Sequence, residues 1–402
     1  MQVGFVTTEF VTDYTFAGGL ANYIHRTCIA LKAVGIQTVV FVDSLTNETF
    51  ELNGIKVVRI KPRKYWWYWA LNIVTLFRLN PVLLSLQRSY GLKKAVEKYH
   101  RNSALDIVQY ATTRSVGIFM PRHIPSVMRI SSYQKLLDQM NGDKQTFRLW
   151  QKQYLQDIML KRARYIFGPS KMIGHLIAQK FNKEIPLLES PFTLDNNEAD
   201  TTRLDEILSK TGGNPYLLYF GSLSQLKGLL DIAEILYDFF DAYPDYYFVF
   251  IGKDIPVNGK PVLSILKEKA GKYSDRIIWY FSTPHSLLYP IVKKAEAVVL
   301  PSRLDNFPNT CIEAMAFGKI VIGTYKTSFE QLIDNNVSGI LCEHSNPKSL
   351  KAALDYAMHL NENQRAEIGR NAIHRIEKLK PEIVVKDLIA YYKKVIELSP
   401  PN

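Results

Sequence analysis

Two carboxylates eight residues apart, Asp305 and Glu313, stand in the segment LPSRLDNFPNTCIEAMAFGKIVIGT, residues 300–324. A buried strand is expected to end at Pro301-Ser302, a polar loop to follow, and Thr310 to Phe317 to begin a helix capped by Gly318. One acid then lies in the loop and the other in the early turns of the helix. Exposed amides at a helix N-terminus bind anions, and carboxylates beside them accept hydrogen bonds from sugar hydroxyls. That layout suits a nucleotide-sugar. Standing alone, either acid reads more simply as a first-turn charge that complements the helix dipole.

The elements that must position these acids follow from the apolar runs. YLLYFG (216–221), YYFVFIG (246–252), RIIWYF (276–281), AVVLPS (297–302) and KIVIGT (319–324) read as short buried strands separated by helix-period segments, one of which starts after Lys227. The first half shows the same alternation: QVGFVT, a loop with Gly18 and Gly19, the helical LANYIHRTCIALKAVG ending at Gly35, then QTVVFV, DIVQY (106–110), SVMRIS (126–131) and ARYIFGPS (163–170). Strand-helix-strand units of this kind build doubly wound parallel sheets. At 402 residues the chain exceeds one hydrophobic core, so the expected class is α/β with two Rossmann-like domains. The expected bounds are 1–210 and 211–380, with Gly212, Gly213 and Pro215 as linker, and 381–402 as a C-terminal helix. Tandem domains of this kind are expected to leave a cleft lined by the carboxyl ends of both sheets, where ligands bind.

Hydrophobic residues make up 47% and charged residues 22%, which excludes a disordered chain. The opening MQVGFVTTEF has no basic segment before its apolar run, so it reads as a first strand rather than a signal peptide. Cys28, Cys311 and Cys342 are few and far apart, as expected in a reducing cytoplasm. The net charge of +12 is unevenly spread: residues 1–200 hold 26 Lys and Arg against 15 Asp and Glu, whereas residues 201–402 hold 24 against 23. Residues 56–101 carry eleven basic side chains and one acid, Glu97. That face is expected to meet something anionic.

The segment around Asp305 resembles the donor signature of glycosyltransferase family 4, an acid, seven residues and a glutamate. Asp305, Phe307 and Glu313-Ala-Met-Ala fall on the signature, while Asn306 and Pro308 replace its glycines. YFGSLSQLKG (219–228) is similar to the family's Gly-Arg-Leu, three residues, Lys-Gly run, with Lys227 and Gly228 in place and Ser222 on the arginine position. Gly18-Gly19-Leu20 matches the family's Gly-Gly loop, and Ser131 and Ser132, with Arg129 before them, stand where many members carry a histidine. Glu330 matches a glutamate that follows the donor loop.

The resemblance implies a GT-B fold, two Rossmann-like domains facing across a cleft with the C-terminal helix crossing back to the first. It implies a retaining glycosyltransferase using a nucleotide diphosphate-sugar. Asp305 and the amides of Asn306, Phe307, Pro308 and Asn309, so far as each has one, would hold the sugar, Thr310 would lie near the diphosphate, Lys227 would grip it, and Glu313 would bind the ribose. Gly19 and Ser222 would border the donor. Gly18, Arg129, Ser131 and Ser132 would lie on the acceptor side. No Asp-x-Asp occurs and no His or Cys cluster has metal-ligand spacing, so neither metal nor other cofactor is expected, and charge on the leaving phosphate falls to Lys227, helix N-termini and loop amides. The expected acceptor is a saccharide or a lipid-linked sugar, as in polysaccharide or glycolipid synthesis.

Two other readings stay open. A nucleotide-sugar epimerase could share the architecture; a nucleic-acid-binding protein would rest on charge alone, with no recognised module, so nucleic acid is not an expected partner. Residues 60–101 combine Lys61, Arg63, Lys64, Lys93 and Lys94 with Trp66, Trp67 and Trp69. Their longest uncharged run, residues 65–77, is thirteen residues, and a spanning helix needs about 20. The stretch is expected either to dock peripherally on the anionic inner face of the membrane or to pack its tryptophans under a solvated basic face.

Overall fold

The computed structural model describes residues 1–11, 18–63, 66–194 and 198–399. They form two compact units, Met1–Pro191 with the segment from Leu379 onward, and Phe192–Lys378. The first unit holds strands β1 (Gln2–Thr7), β2 (Gln37–Asp43), β3 (Glu48–Leu52), β4 (Ile55–Ile60), β5 (Ile107–Ala111), β6 (Ser126–Arg129) and β7 (Ile166–Phe167). Their order is β3-β4-β2-β1-β5-β6-β7, parallel throughout except for the antiparallel pair β3 and β4. The second unit holds β8 (Tyr216–Phe220), β9 (Tyr247–Ile251), β10 (Ile277–Tyr280), β11 (Ala297–Val299), β12 (Val321–Thr324) and β13 (Ile340–Cys342). Its order is β10-β9-β8-β11-β12-β13, with every pair parallel.

Both sheets reverse direction beside a central strand, between β1 and β5 in one and between β8 and β11 in the other. Central strands such as β1, β5 and β8 read as continuous apolar runs because helices cover both their faces. The β3–β4 hairpin breaks the alternation and is not apparent from it. Its signal is local: Asn53 and Gly54 take φ of 51° and 71°, the two left-handed residues that a tight two-residue hairpin turn requires.

Helix Pro381–Leu398 returns to the first unit, where Val385, Leu388, Tyr392 and Val395 join the core beneath helix Gly19–Ala33. Buried Tyr392 donates from its hydroxyl to Gln109 Oε1 at 2.6 Å, a second anchor on β5.

The units divide at Pro191–Phe192 rather than near residue 210, because helix Thr202–Thr211 packs on helix His285–Lys294 of the second unit. Gly212 and Gly213, expected in a linker, instead end that helix: both have positive φ, and Gly213 N donates to Leu208 O at 2.9 Å. The return to the first unit begins at Leu379, close to the expected residue 381.

Replacing Tyr392 with Ala is expected to destabilise the first unit by about 3–5 kcal/mol, through the cavity it opens and the loss of the shorter of the two bonds to Gln109 Oε1, the other coming from Tyr23 OH at 3.4 Å. The measurement is denaturant unfolding followed by hydrogen exchange, in which amides of residues 2–7 and 107–111 should lose protection before those of 216–220.

Candidate active site

The second unit's site forms where β8 and β11 end. After Phe220 the chain runs through Gly221-Ser222, pairs Leu223 N to Lys253 O at 2.8 Å, and makes the short turn Gln225–Lys227. Gly228 follows at φ 75°, and a Cβ there would lie 1.9 Å from Pro301 O, so glycine is what lets this turn abut the end of β11. Arg303 N closes the contact by donating to Leu226 O at 2.9 Å. The result brings Lys227 Nζ into an ion pair with Asp305 Oδ2, although the two are 78 residues apart.

The loop bearing Asp305 is held at both ends. Phe307 is buried, and Ser328 Oγ donates to Asp305 O at 2.7 Å. Helices Leu229–Ala242 and Asn309–Ala316 both start without a side-chain cap, behind Gly228 and Pro308, and side-chain-uncapped helix starts of this kind favour an anion, although Leu229 N and Asp231 N of the first already donate to Ser224 O and Gly228 O at 3.4 and 3.0 Å. Thr310 borders Gly221: a Cβ on that glycine would lie 3.8 Å from Thr310 Cγ2. Asn306 and Asn309 are half-buried. Glu313, in the second turn, has a side chain only 6% exposed, and His285 Nε2 stands 3.7 Å from its Oε1. One cation and two helix N-termini suit a diphosphate; Asp305 and Glu313 suit hydroxyls.

Lys227, Asp305, Thr310 and Glu313, expected from sequence on the donor side, thus fall in one region with Asn306, Phe307, Pro308 and Asn309. Ser222 carries no charge, and its carbonyl accepts from Tyr219 OH at 2.7 Å. Arg303 does not stand in for the missing arginine, because its Nη2 is engaged by Asp231 Oδ1 at 3.1 Å. Glu330 is exposed on the turn Ser328–Gln331 and lines a cavity of about 450 Å³ with Asn371, His374 and Arg375, while its neighbour Ser328 makes the bond to the Asp305 loop. His285, Arg303 and Ser328 were not apparent from sequence, since each reaches the site through tertiary folding rather than motif spacing.

In the first unit, Thr8 Oγ1 and Thr113 Oγ1 meet at 3.0 Å, joining the ends of β1 and β5. Gly18 is the N-cap of helix Gly19–Ala33, and Glu9 Oε1 accepts from Ala21 N at 3.3 Å, so a carboxylate already sits at that N-terminus. Residues 12–17 of the loop lie outside the described residues. Arg129 is not on an open acceptor surface: it is 4% exposed, its guanidinium lies 3.5 Å from the Tyr23 ring centroid, and Nη2 donates to Ser190 Oγ at 2.9 Å. Burial pushes its pKa down, and the tyrosines beside it partly offset that. Ser131 and Ser132 are held by their backbones: both amides donate to Thr112 Oγ1, at 2.9 and 3.2 Å, and Gln156 Nε2 donates to Ser132 O at 3.0 Å.

The tryptophan stretch forms helix Trp66–Val74, which buries Tyr68 and Asn72 and leaves Trp66 81% and Trp69 48% exposed; Trp67 is half-buried. Lys61 and Arg63 precede it, exposed, and Lys64 lies outside the described residues. Helix Phe147–Arg162, not singled out from sequence, adds an exposed ladder of Phe147, Trp150 and Tyr154 with ring centroids 5.7 and 5.1 Å apart. A cavity of about 690 Å³ lined by Val74, Leu76, Arg78, Leu79 and Phe147 joins the two helices. Among the described residues no helix is long and apolar enough to cross a membrane.

Removing the Lys227 cation should cost roughly 3 kcal/mol of transition-state stabilisation, about a hundredfold in turnover, with a smaller loss in nucleotide affinity. Steady-state kinetics of Lys227→Ala check this, and activity within threefold of wild type would remove Lys227 from the site. Glu313→Gln keeps the shape of a nearly buried side chain, so it should weaken nucleotide binding while the melting temperature holds. An early-melting variant that binds nucleotide normally would assign Glu313 to the core instead.

The family model for glycosyl transferases group 1 matches residues 200–375. Over 99% of this chain and 98% of the other, the sequence is 24% identical to the alpha-monoglucosyldiacylglycerol synthase of Acholeplasma laidlawii. The sucrose-phosphate synthase of Thermosynechococcus elongatus superposes with a TM-score of 0.76 at 15% identity, covering 99% of this chain and all of that one. An Anabaena protein, HepE, solved with UDP and glucose, gives 0.68 at 14% identity, covering 98% and 100%. At such identities the superpositions establish the fold, which is GT-B, and the match to glycosyl transferases group 1 lies within residues 200–375, the part of the chain that carries Lys227, Asp305 and Glu313.

Proposed function

We propose that this chain is a retaining, metal-independent family 4 glycosyltransferase that moves a sugar from a nucleotide diphosphate-sugar to a lipid-linked or saccharide acceptor. Glycolipid or polysaccharide synthesis on the cytoplasmic face of a membrane would be its setting. The observation that carries the donor reading is the meeting of Lys227 and Asp305 beneath two uncapped helix N-termini. The donor diphosphate takes over Lys227 and the amides, which frees Asp305 for the sugar, and Glu313 receives the ribose hydroxyls. The acceptor hydroxyl then attacks the face from which the nucleotide departs, and a donor phosphate oxygen takes its proton. The bond to the leaving phosphate breaks as charge on it grows, where a preformed cation and aligned dipoles stabilise it most.

Metal independence draws support from Lys227, a fixed cation at the ends of β8 and β11 that can meet the charge growing on the leaving phosphate. A lipid acceptor draws support from helix Trp66–Val74, which buries its tyrosine and asparagine and turns most of its tryptophans and aliphatics outward beside basic residues. Interfacial aromatics with Lys and Arg worth about 1 kcal/mol each near anionic lipid give reversible, salt-sensitive attachment. The name of the Acholeplasma relative, which describes glucosylated diacylglycerol, fits such an acceptor.

Thermal-shift screening against UDP-, GDP-, ADP- and TDP-sugars should select one donor, since ligand at about 100 times its dissociation constant adds roughly 2.7 kcal/mol. Transfer from that donor should persist in EDTA; its abolition would overturn metal independence. The protein should co-sediment with phosphatidylglycerol vesicles at low salt and be released when Lys61, Arg63, Lys64, Lys93 and Lys94 become Gln. No binding at low salt, or binding unchanged in that variant, would leave a soluble saccharide as the acceptor.

A further inference from the structure

The C-terminal edge of the first unit's sheet carries a cation that no part of the donor site explains. Arg114 follows β5, and its side chain reaches Asp43 at the end of β2, with Nη1 3.9 Å from Oδ2. In the sheet order β1 lies between β2 and β5, so the arginine spans the end of β1, where the strand order reverses. Ligands of open α/β sheets bind at that reversal.

Three features separate this arginine from an ordinary surface charge. Arg114 and Ser115 take φ of 47° and 55°, two consecutive non-glycine residues in the left-handed region, a conformation that costs energy and gathers at functional sites. The Asp43 side chain is nearly buried and already forms an ion pair with Arg88 Nε at 3.2 Å, so two guanidinium groups share one carboxylate and leave a positive charge over. Arg114 itself stays 59% exposed, with the Thr8 and Thr113 hydroxyls at the same edge. Glu9, the nearest carboxylate along β1, is taken up by Ala21 N.

We propose that Arg114 binds a phosphoryl group carried by the acceptor, with Arg88 and Asp43 as the residues that position it. The inference rests on the reading that the first unit holds the acceptor, and it narrows the acceptor to a phosphorylated lipid or phosphorylated sugar. Asp43 draws the guanidinium across β1 through the ion pair at 3.9 Å and leaves its donors to the phosphate, whose fork geometry suits arginine better than lysine. The left-handed backbone at Arg114 is then kept because it aims the side chain across β1.

The test is binding, which needs no sugar transfer, read by calorimetry on protein carrying Lys227→Ala so that the donor cation is silent. Farnesyl phosphate, farnesol and glucose 6-phosphate are the probes. At least one phosphorylated probe should bind, farnesyl phosphate more tightly than farnesol, and adding Arg114→Gly should weaken it by about tenfold or more. The same glycine should leave the melting temperature level or raise it, because it relieves the left-handed strain. Arg114→Lys should recover only part of the affinity. If farnesyl phosphate binds tightest the phosphate belongs to a lipid, and if glucose 6-phosphate does it belongs to a soluble sugar. No binding of either phosphate, or equal affinity with and without Arg114→Gly, would overturn the proposal, even in a protein that transfers sugar as proposed above.

Discussion

Right-handed crossovers oblige a parallel sheet that winds both ways to reverse beside one strand, and the reversal leaves a gap at that strand's carboxyl end. Each unit obeys this once, at β1 and at β8. Everything chemically notable in the second unit follows from the gap at β8, because the loops after β8 and β11 have no intervening strand to keep them apart. Gly228 against Pro301 and Arg303 against Leu226 close them together, and the Lys227–Asp305 pair is the consequence.

Three cations mark three ways this fold handles positive charge. Lys227 is partly buried against one carboxylate, an arrangement a diphosphate can replace because it offers more negative charge at the same place. Arg129 is deep in the first unit, set over the Tyr23 ring and hydrogen-bonded to Ser190; its work is to join helix Gly19–Ala33, β6 and the end of the first unit's main segment. Arg114 shares a buried carboxylate with Arg88 and remains open to solvent. Burial pushes the Asp43 carboxyl up, and the two guanidinium groups draw it partly back. Residue type alone does not distinguish these roles; the surroundings do.

Helix Trp66–Val74 inverts the usual sorting of side chains. Tyr68 donates from its hydroxyl to Asn80 Oδ1 at 2.7 Å and Asn72 Nδ2 donates to Tyr68 O, so these polar groups bond inside the protein. The apolar residues are left outside, and the stacked Phe147, Trp150 and Tyr154 extend the exposed surface onto a second helix. A contiguous apolar surface of this kind, bordered by basic residues, is characteristic of an interaction face.

The sequence by itself determined the class of fold, because strands buried on both faces must be apolar runs and the turns between them must carry glycine. It also singled out the residues that meet at the ends of β8 and β11, since the Asp305 to Glu313 spacing and Lys227-Gly228 are local patterns fixed within single loops. It left the edge hairpin at Asn53-Gly54 unread and placed the division between units about twenty residues late. A glycine pair looks the same in a linker as at a helix end, and only packing of helix Thr202–Thr211 decides between them. Arg129 stood next to a family position in sequence, yet its neighbours Tyr23, Ser190 and Tyr392 come from distant segments, and they put it in the core. His285 beside Glu313, Ser328 bonded to the Asp305 loop and Arg114 across β1 were equally invisible. Each acts through a partner far away in the chain, and distance along a chain says nothing of distance in space until the sheet order is known.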